Sequence, residues 1–245
     1  PEARAMLTAT FAEFEEAAEA VQAILNNGWQ PSGLEITDGF TLRAAREYLG
    51  PETLPDGNAH LIVELDGRKK TILQDLETLH ELIAALGAIS VEEARDRESC
   101  EAIWQLRREF SYSLRATGLI KLNEDIVVPR SKLVDLVRFA RKLEKDTGIP
   151  VACFGHAGDG NIHTNLMVEN YDTDPAARER ADAALDILFR WIIENDGQIT
   201  GEHGVGIAKK RWFSDAVTPV SSSVHRSLKA ALDPNGILNP GKFIE

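Results

Sequence analysis

Apolar and polar positions along this chain follow two periods. Over 10–27, "TFAEFEEAAEAVQAILNN", apolar residues recur at helical spacing and stop at Gly28, which predicts an amphipathic helix. "SGLEITD" predicts a short strand, 41–49 a helix, "HLIVELDG" a strand and 72–86 another helix, an alternation that implies helices layered on a sheet. A longer helix is expected from about 91 to 114. The second half repeats the grammar: "DIVVP" as strand, 130–147 as helix, "IPVACFG" and "NIHTNLMV" as strands, 175–195 as helix and "GQITGEHG" as strand. Hairpin-length turns stand where parallel crossovers would need about a dozen residues. The expected fold class is therefore α+β, with antiparallel sheets covered by helices, read as two duplicated ferredoxin-like halves. The tail "LDPNGILNPGKFIE" reads as two successive bends.

Composition narrows the function classes. A length of 245 residues allows one large domain or two small ones, and 43% hydrophobic with 27% charged residues is the balance of an ordinary globular protein. The formal net charge of −12 argues against a sequence-independent grip on nucleic acid. Any anion must instead meet a local basic pocket. Cys100 and Cys153 form neither a disulfide framework nor a Cys-x-x-Cys pair, which fits a reducing, cytoplasmic setting. No apolar run approaches the roughly 18–20 residues that span a bilayer, and "PEARAMLTAT" lacks the order of a signal peptide. The missing initial methionine suggests a chain cut from something longer.

The densest chemistry lies in "CFGHAGDGNIHTN". If Asp159-Gly160 forms a two-residue turn, His156 falls opposite His163, close enough for two ring nitrogens to converge on one ion. Period-2 alternation places Asn165 on the same face and turns Ile162, Leu166 and Val168 toward the core. The plainer alternative is an ordinary glycine turn with two surface histidines. "TGEHGVGIAKK" sets Glu202 and His203 among glycines, yet it lacks the Lys-Ser/Thr of a phosphate-binding loop and the second histidine of His-Glu-x-x-His. Glu202 is thus free to be a third ligand to a divalent ion. On the long helix, Arg107 borders the apolar stripe Ile103, Leu106, Phe110 and Leu114 while Arg108 points toward solvent. Arg107 has no carboxylate partner on its own helix, so it either reaches into a cleft or pairs with another element.

Together, "GHAGDGNIHTN", "TGEHGVGIAKK", "KLNEDIVVPRSKL" and "LDPNGILNPGKFI" resemble the C-terminal half of the FAD-linked oxidase family, which includes glycolate oxidase, D-lactate dehydrogenases and D-2-hydroxyglutarate dehydrogenases. The resemblance implies that residues 1–245 are the cap and substrate-binding domain, and that the FAD-binding N-terminal domain is absent from this chain. It implies His156, His163 and Glu202 as metal ligands and His203 as general base. Arg107, Ser111, Lys121 and Asn165 become substrate contacts, and Asn239 a residue near the flavin. The implied cofactors are FAD and a divalent cation, zinc first, with manganese or iron as alternatives. Implied partners are the FAD-binding domain, a small 2-hydroxy acid and an electron acceptor, either protein or quinone, and any membrane association would run through a partner. The implied activity is flavin-dependent oxidation of a 2-hydroxy acid, to which the isolated chain would not be competent alone. Two rival readings stand beside it: a metal-dependent hydrolase needing no FAD, and a non-catalytic cap protein.

Overall fold

The first strand, β1 (Ala3–Phe11), is buried over its last seven residues, so "MLTATF" shows no alternation and its end merges with the apolar pattern of the following helix. This is why the helix expected over 10–27 begins instead at Phe14 (α1, Phe14–Asn26). A computed structural model describes residues 1–242 and 244; Phe243 and Glu245 of the expected tail lie outside the described residues. The chain continues through β2 (Gly33–Asp38), α2 (Gly39–Leu49), β3 (Ala59–Gly67), α3 (Lys69–Ala85), β4 (Ser90–Ala94) and α4 (Arg97–Ala116). The second half holds β5 (Ile120–Val127), α5 (Leu133–Thr147), β6 (Val151–His156), β7 (Asn161–Val168), α6 (Pro175–Glu194), α7 (Lys210–Ala216) and α8 (Pro219–Leu232).

Two expectations are corrected. The helix foreseen from 91 is strand β4 up to Ala94, because pairing with β1 overrides the helical preference of its glutamates, and α4 starts only after Asp96. The Asp96 carboxylate caps that start, accepting from Ser99 N at 2.9 Å. "GQITGEHG" is not a strand. Only Gln198 pairs, bridging Val127, and the residues after it form a loop.

The fold class holds, as one sheet rather than several. Among the described residues the seven strands run β4-β1-β3-β2-β6-β7-β5, each pair antiparallel. Strands β1 to β4 take the order 4-1-3-2 expected of a βαββαβ unit, with α2 inserted between its second and third strands. Strands β5, β6 and β7 repeat the pattern as 2-3-1, and the Gln198 bridge on the outer edge of β5 stands where a fourth strand would lie. The two units join edge to edge through β2 and β6.

Helices α1, α3, α5 and α6 cover one face over the main core, to which β7 contributes Ile162, Leu166 and Val168 as the alternation requires. Helices α2 and α4 cover part of the other face through smaller clusters that include Ala44, Phe110, Leu114 and Phe154. The uncovered remainder of that second face, at the seam between the units, is where the polar residues collect.

Candidate functional site

The β6–β7 hairpin carries both histidines, with a register shifted from the expected one. Its loop spans 157–160, so His156 stands opposite Asn161 and His163 opposite Phe154. A shift of two residues keeps every side chain on its face. The rings of His156 and His163 therefore still meet, as diagonal neighbours with centroids 6.3 Å apart. The Asp159 carboxylate accepts from Asn161 N at 3.1 Å, and Gly160 turns with φ +82°, where a Cβ would run into the Val128 carbonyl.

The loop after Gln198 brings Glu202 and His203 to the same place. Its backbone wraps one carboxylate oxygen, Asp125 Oδ2, which accepts from Thr200 Oγ1 at 3.1 Å, Gly201 N at 2.9 Å, and Glu202 N and His203 N at 2.8 Å each. Burial pushes the Asp125 carboxyl up, but these donors outweigh it and hold its pKa down to about 2. Gly201 is required for the approach, since a Cβ there would overlap the Asn161 side chain. His203 stacks on His163 with centroids 5.4 Å apart. One ligand atom from each of His156, His163 and Glu202 lies within 4.8 Å of the others. Burial lowers the His163 pKa to about 4, and among the described residues its buried Nδ1 has no hydrogen-bond partner.

A cavity of about 310 Å³ opens beside this cluster, lined by Arg107, Ser111, Lys121, His156, His163 and His203, with Trp104, Phe154 and Asn123 among its other walls. Arg107 does both things its position allowed. It faces the cavity and pairs with Glu35 of β2, donating from Nε and Nη2 to the same oxygen at 2.7 Å. The other Glu35 oxygen bonds His156 Nδ1, leaving the second ring nitrogen of His156 for a ligand. Burial pushes the Glu35 carboxyl up, yet the His156 hydrogen bond and the Arg107 charge outweigh it and keep it below its ordinary value. The same hydrogen bond raises the pKa of His156. Lys121 Nζ donates to Ser111 Oγ at 2.9 Å, and burial followed by the charge of Arg115 lowers its pKa to about 8.

Two expected contacts are not brought to the cavity. Asn165 is fully buried, and its Nδ2 donates to the Ala152 carbonyl at 2.9 Å and the His163 carbonyl at 3.1 Å. Its cross-strand partner Asn123 lines the cavity in its place. Asn239 sits in the exposed tail with φ +50°, away from the cavity walls. Conversely, Glu35 and Asp125 were not foreseen. A signal existed for Glu35, a charged residue flanked by Leu34 and Ile36 in a strand interior, where burial demands a partner.

The chain belongs to the family "FAD linked oxidases, C-terminal domain", whose model matches residues 1–243. It is 32% identical over 243 residues to glycolate oxidase subunit GlcD of Bacillus subtilis (strain 168), covering 99% of this chain and 51% of that protein. It is 26% identical over 250 residues to a D-lactate dehydrogenase of Anaerostipes hadrus, covering 99% and 52%. The chain thus spans about half the length of these curated relatives. The crystal structure of p-cresol methylhydroxylase with substrate bound shares the fold, with a TM-score of 0.72 at 16% identity over 100% of this chain and 53% of that one.

Proposed function

We propose that this chain is the substrate- and metal-binding half of a flavin-dependent 2-hydroxy acid oxidoreductase, acting with an FAD-binding domain in the part of its relatives that the chain does not span. The observation that carries the reading is that one ligand atom from each of His156, His163 and Glu202 lies within 4.8 Å of the others, beside a cavity that presents Arg107 and Lys121. Two imidazoles and a carboxylate suit a first-row divalent cation, zinc first, with manganese or iron as alternatives. The donors fit in a further respect: His163 is neutral near pH 7, and the carboxylate of Glu35 fixes the ring of His156 as a carboxylate commonly fixes a ligating histidine.

When bound, the cation would lower the pKa of the substrate hydroxyl, while the flavin would receive the hydride from the α-carbon. The chain's own residues supply the rest. Lys121 holds the substrate carboxylate, with Arg107 fixed beside it by Glu35 and Ser111 sharing the ammonium. His203 accepts the hydroxyl proton, its ring held over His163. Trp104 and Phe154 exclude water from one side. Asn165 acts on the backbone that carries His163. Asn239 and the exposed apolar positions of α8 belong to the surface that meets the FAD-binding half.

In the complete flavoenzyme, His203→Ala is expected to retain the cation and slow anaerobic flavin reduction by about 10²–10⁴-fold, the usual share of a general base. Stopped-flow bleaching at an unchanged rate would refute the assignment.

A further inference from the structure

We propose that Asp125 is a positioning residue that shapes the 200–203 backbone so that the Glu202 and His203 side chains meet His163. The inference rests on the roles given to Glu202 and His203 above. Both side chains are exposed and belong to adjacent residues, and the stack of His203 on His163 forms only if the backbone delivers the ring there. What fixes them is the backbone beneath, where three successive amides and one hydroxyl point at a single oxygen of Asp125. Such an arrangement is a nest for a carboxylate, and each charge-assisted bond is stronger than one to a neutral acceptor.

The placement of Asp125 explains why the loop arrives where it does. Asp125 is the direct cross-strand partner of His163, so the oxygen that gathers the loop sits one strand away from the histidine it must approach. A carboxylate oxygen of Asp125 and ring nitrogens of His163 and His203 lie within 4.8 Å of one another. The far end of the loop is tied to the same strand. Buried Lys209 donates to the Asp125 carbonyl at 2.9 Å and pairs with Glu124 at 3.6 Å. Two consecutive residues of β5 therefore hold both ends of a segment that has no regular secondary structure and contains Gly201, Gly204 and Gly206.

The test compares Asp125→Ala with the unaltered protein in its intact form, by residue-resolved amide exchange, by competition of a chelator for Zn²⁺, and by anaerobic flavin reduction. Exchange at Gly201, Glu202 and His203 should accelerate at least tenfold while the β6–β7 hairpin amides are unchanged, and Zn²⁺ affinity should fall about 10–100-fold, as for other groups that orient ligands. Flavin reduction should slow at saturating substrate with less than a threefold change in substrate affinity, because Lys121 and Arg107 are untouched. Unaltered protection at the three amides, or Zn²⁺ affinity within twofold of the unaltered protein, would overturn the inference. If Asp125→Ala does not fold, Asp125→Asn, which keeps the shape and removes the charge, is read in the same way with a threefold threshold. Should the unaltered protein take up no Zn²⁺, the metal reading falls, and exchange alone decides: lost protection upholds the positioning role and retained protection ends it.

Discussion

Glu35 is the residue on which the others turn. It is 2% exposed, and it holds Arg107 from a position 72 residues away and His156 from one 121 residues away. Breaking a buried pair by removing one partner leaves an uncompensated charge, typically at a cost of about 3–5 kcal/mol. Glu35→Gln should therefore lower the urea-unfolding free energy by roughly 3 kcal/mol, and a loss below 1 kcal/mol would mean that Arg107 finds another partner. A second buried carboxyl gives a pH dependence. Burial raises Asp38 to about 6 from an ordinary value of 3.8, so the native state holds more protons than the unfolded one between those values. Stability falls as pH rises from 4 to 6, by roughly 3 kcal/mol at about 1.4 kcal/mol per pH unit. Asp38 also caps α2 by accepting from Thr41 N at 2.9 Å, a role asparagine can keep. Asp38→Asn should thus flatten the fall, and an equally steep one in the variant would assign it elsewhere. At this scale the histidines, Glu202 and Arg107 were legible because glycine-rich segments and a missing helical partner betray them. Asp125 was not, because its role depends on contacts across strands that no local spacing encodes, and for Glu35 the place between Leu34 and Ile36 signals burial but not which partners it meets.

The hairpin shows how an element can be misread without harm to the site. A two-residue turn and the four-residue loop at 157–160 differ by an even shift, so the face carrying His156, His163 and Asn165 is the same in both. Strands β1 and β4 were missed for opposite reasons: β1 is buried on both faces and shows no period, and β4 is a short edge strand whose glutamates favour a helix. Gly160 is the local device that closes the loop. Gly160→Ala must take a left-handed conformation and displace the Val128 carbonyl, so it should destabilise by about 1–3 kcal/mol, measured by thermal unfolding. An unaltered midpoint would show that the loop can close another way. Helix α8 has the opposite character. Val220, Val224, Leu228 and Leu232 recur every fourth residue, all more than half exposed, and none of the helix is buried. Val224→Lys with Leu228→Lys should change the stability of this chain by less than about 0.5 kcal/mol, as at an exposed face. If the stripe meets the FAD-binding half, the same pair should weaken flavin retention in the complete protein. Full retention would remove α8 from that surface.

In the whole molecule, the cavity lies where two similar units meet. Glu35 of β2 and His156 of β6 are cross-strand partners at the only pairing that joins the units among the described residues, and β5 with β7 supplies Asp125 and His163. Helix α4, which links the units, lays Arg107 and Ser111 over that seam. The site is thereby spread over chain positions from 35 to 203, which is why the sequence motifs located its parts while only the sheet order shows how they assemble. No described helix is long and apolar enough to cross a membrane. Because the proposed cation binds the folded cluster, saturating it at about 100 times its dissociation constant should stabilise the chain by about 2.7 kcal/mol, and chelation should reverse the gain. The most direct measurement is equilibrium dialysis of the metal-stripped chain against Zn²⁺, with elemental analysis of the bound fraction. One ion per chain is expected, retained in His203→Ala and lost when His156, His163 or Glu202 is replaced by alanine. Absence of uptake by the folded chain, or uptake that survives all three replacements, would contradict the account.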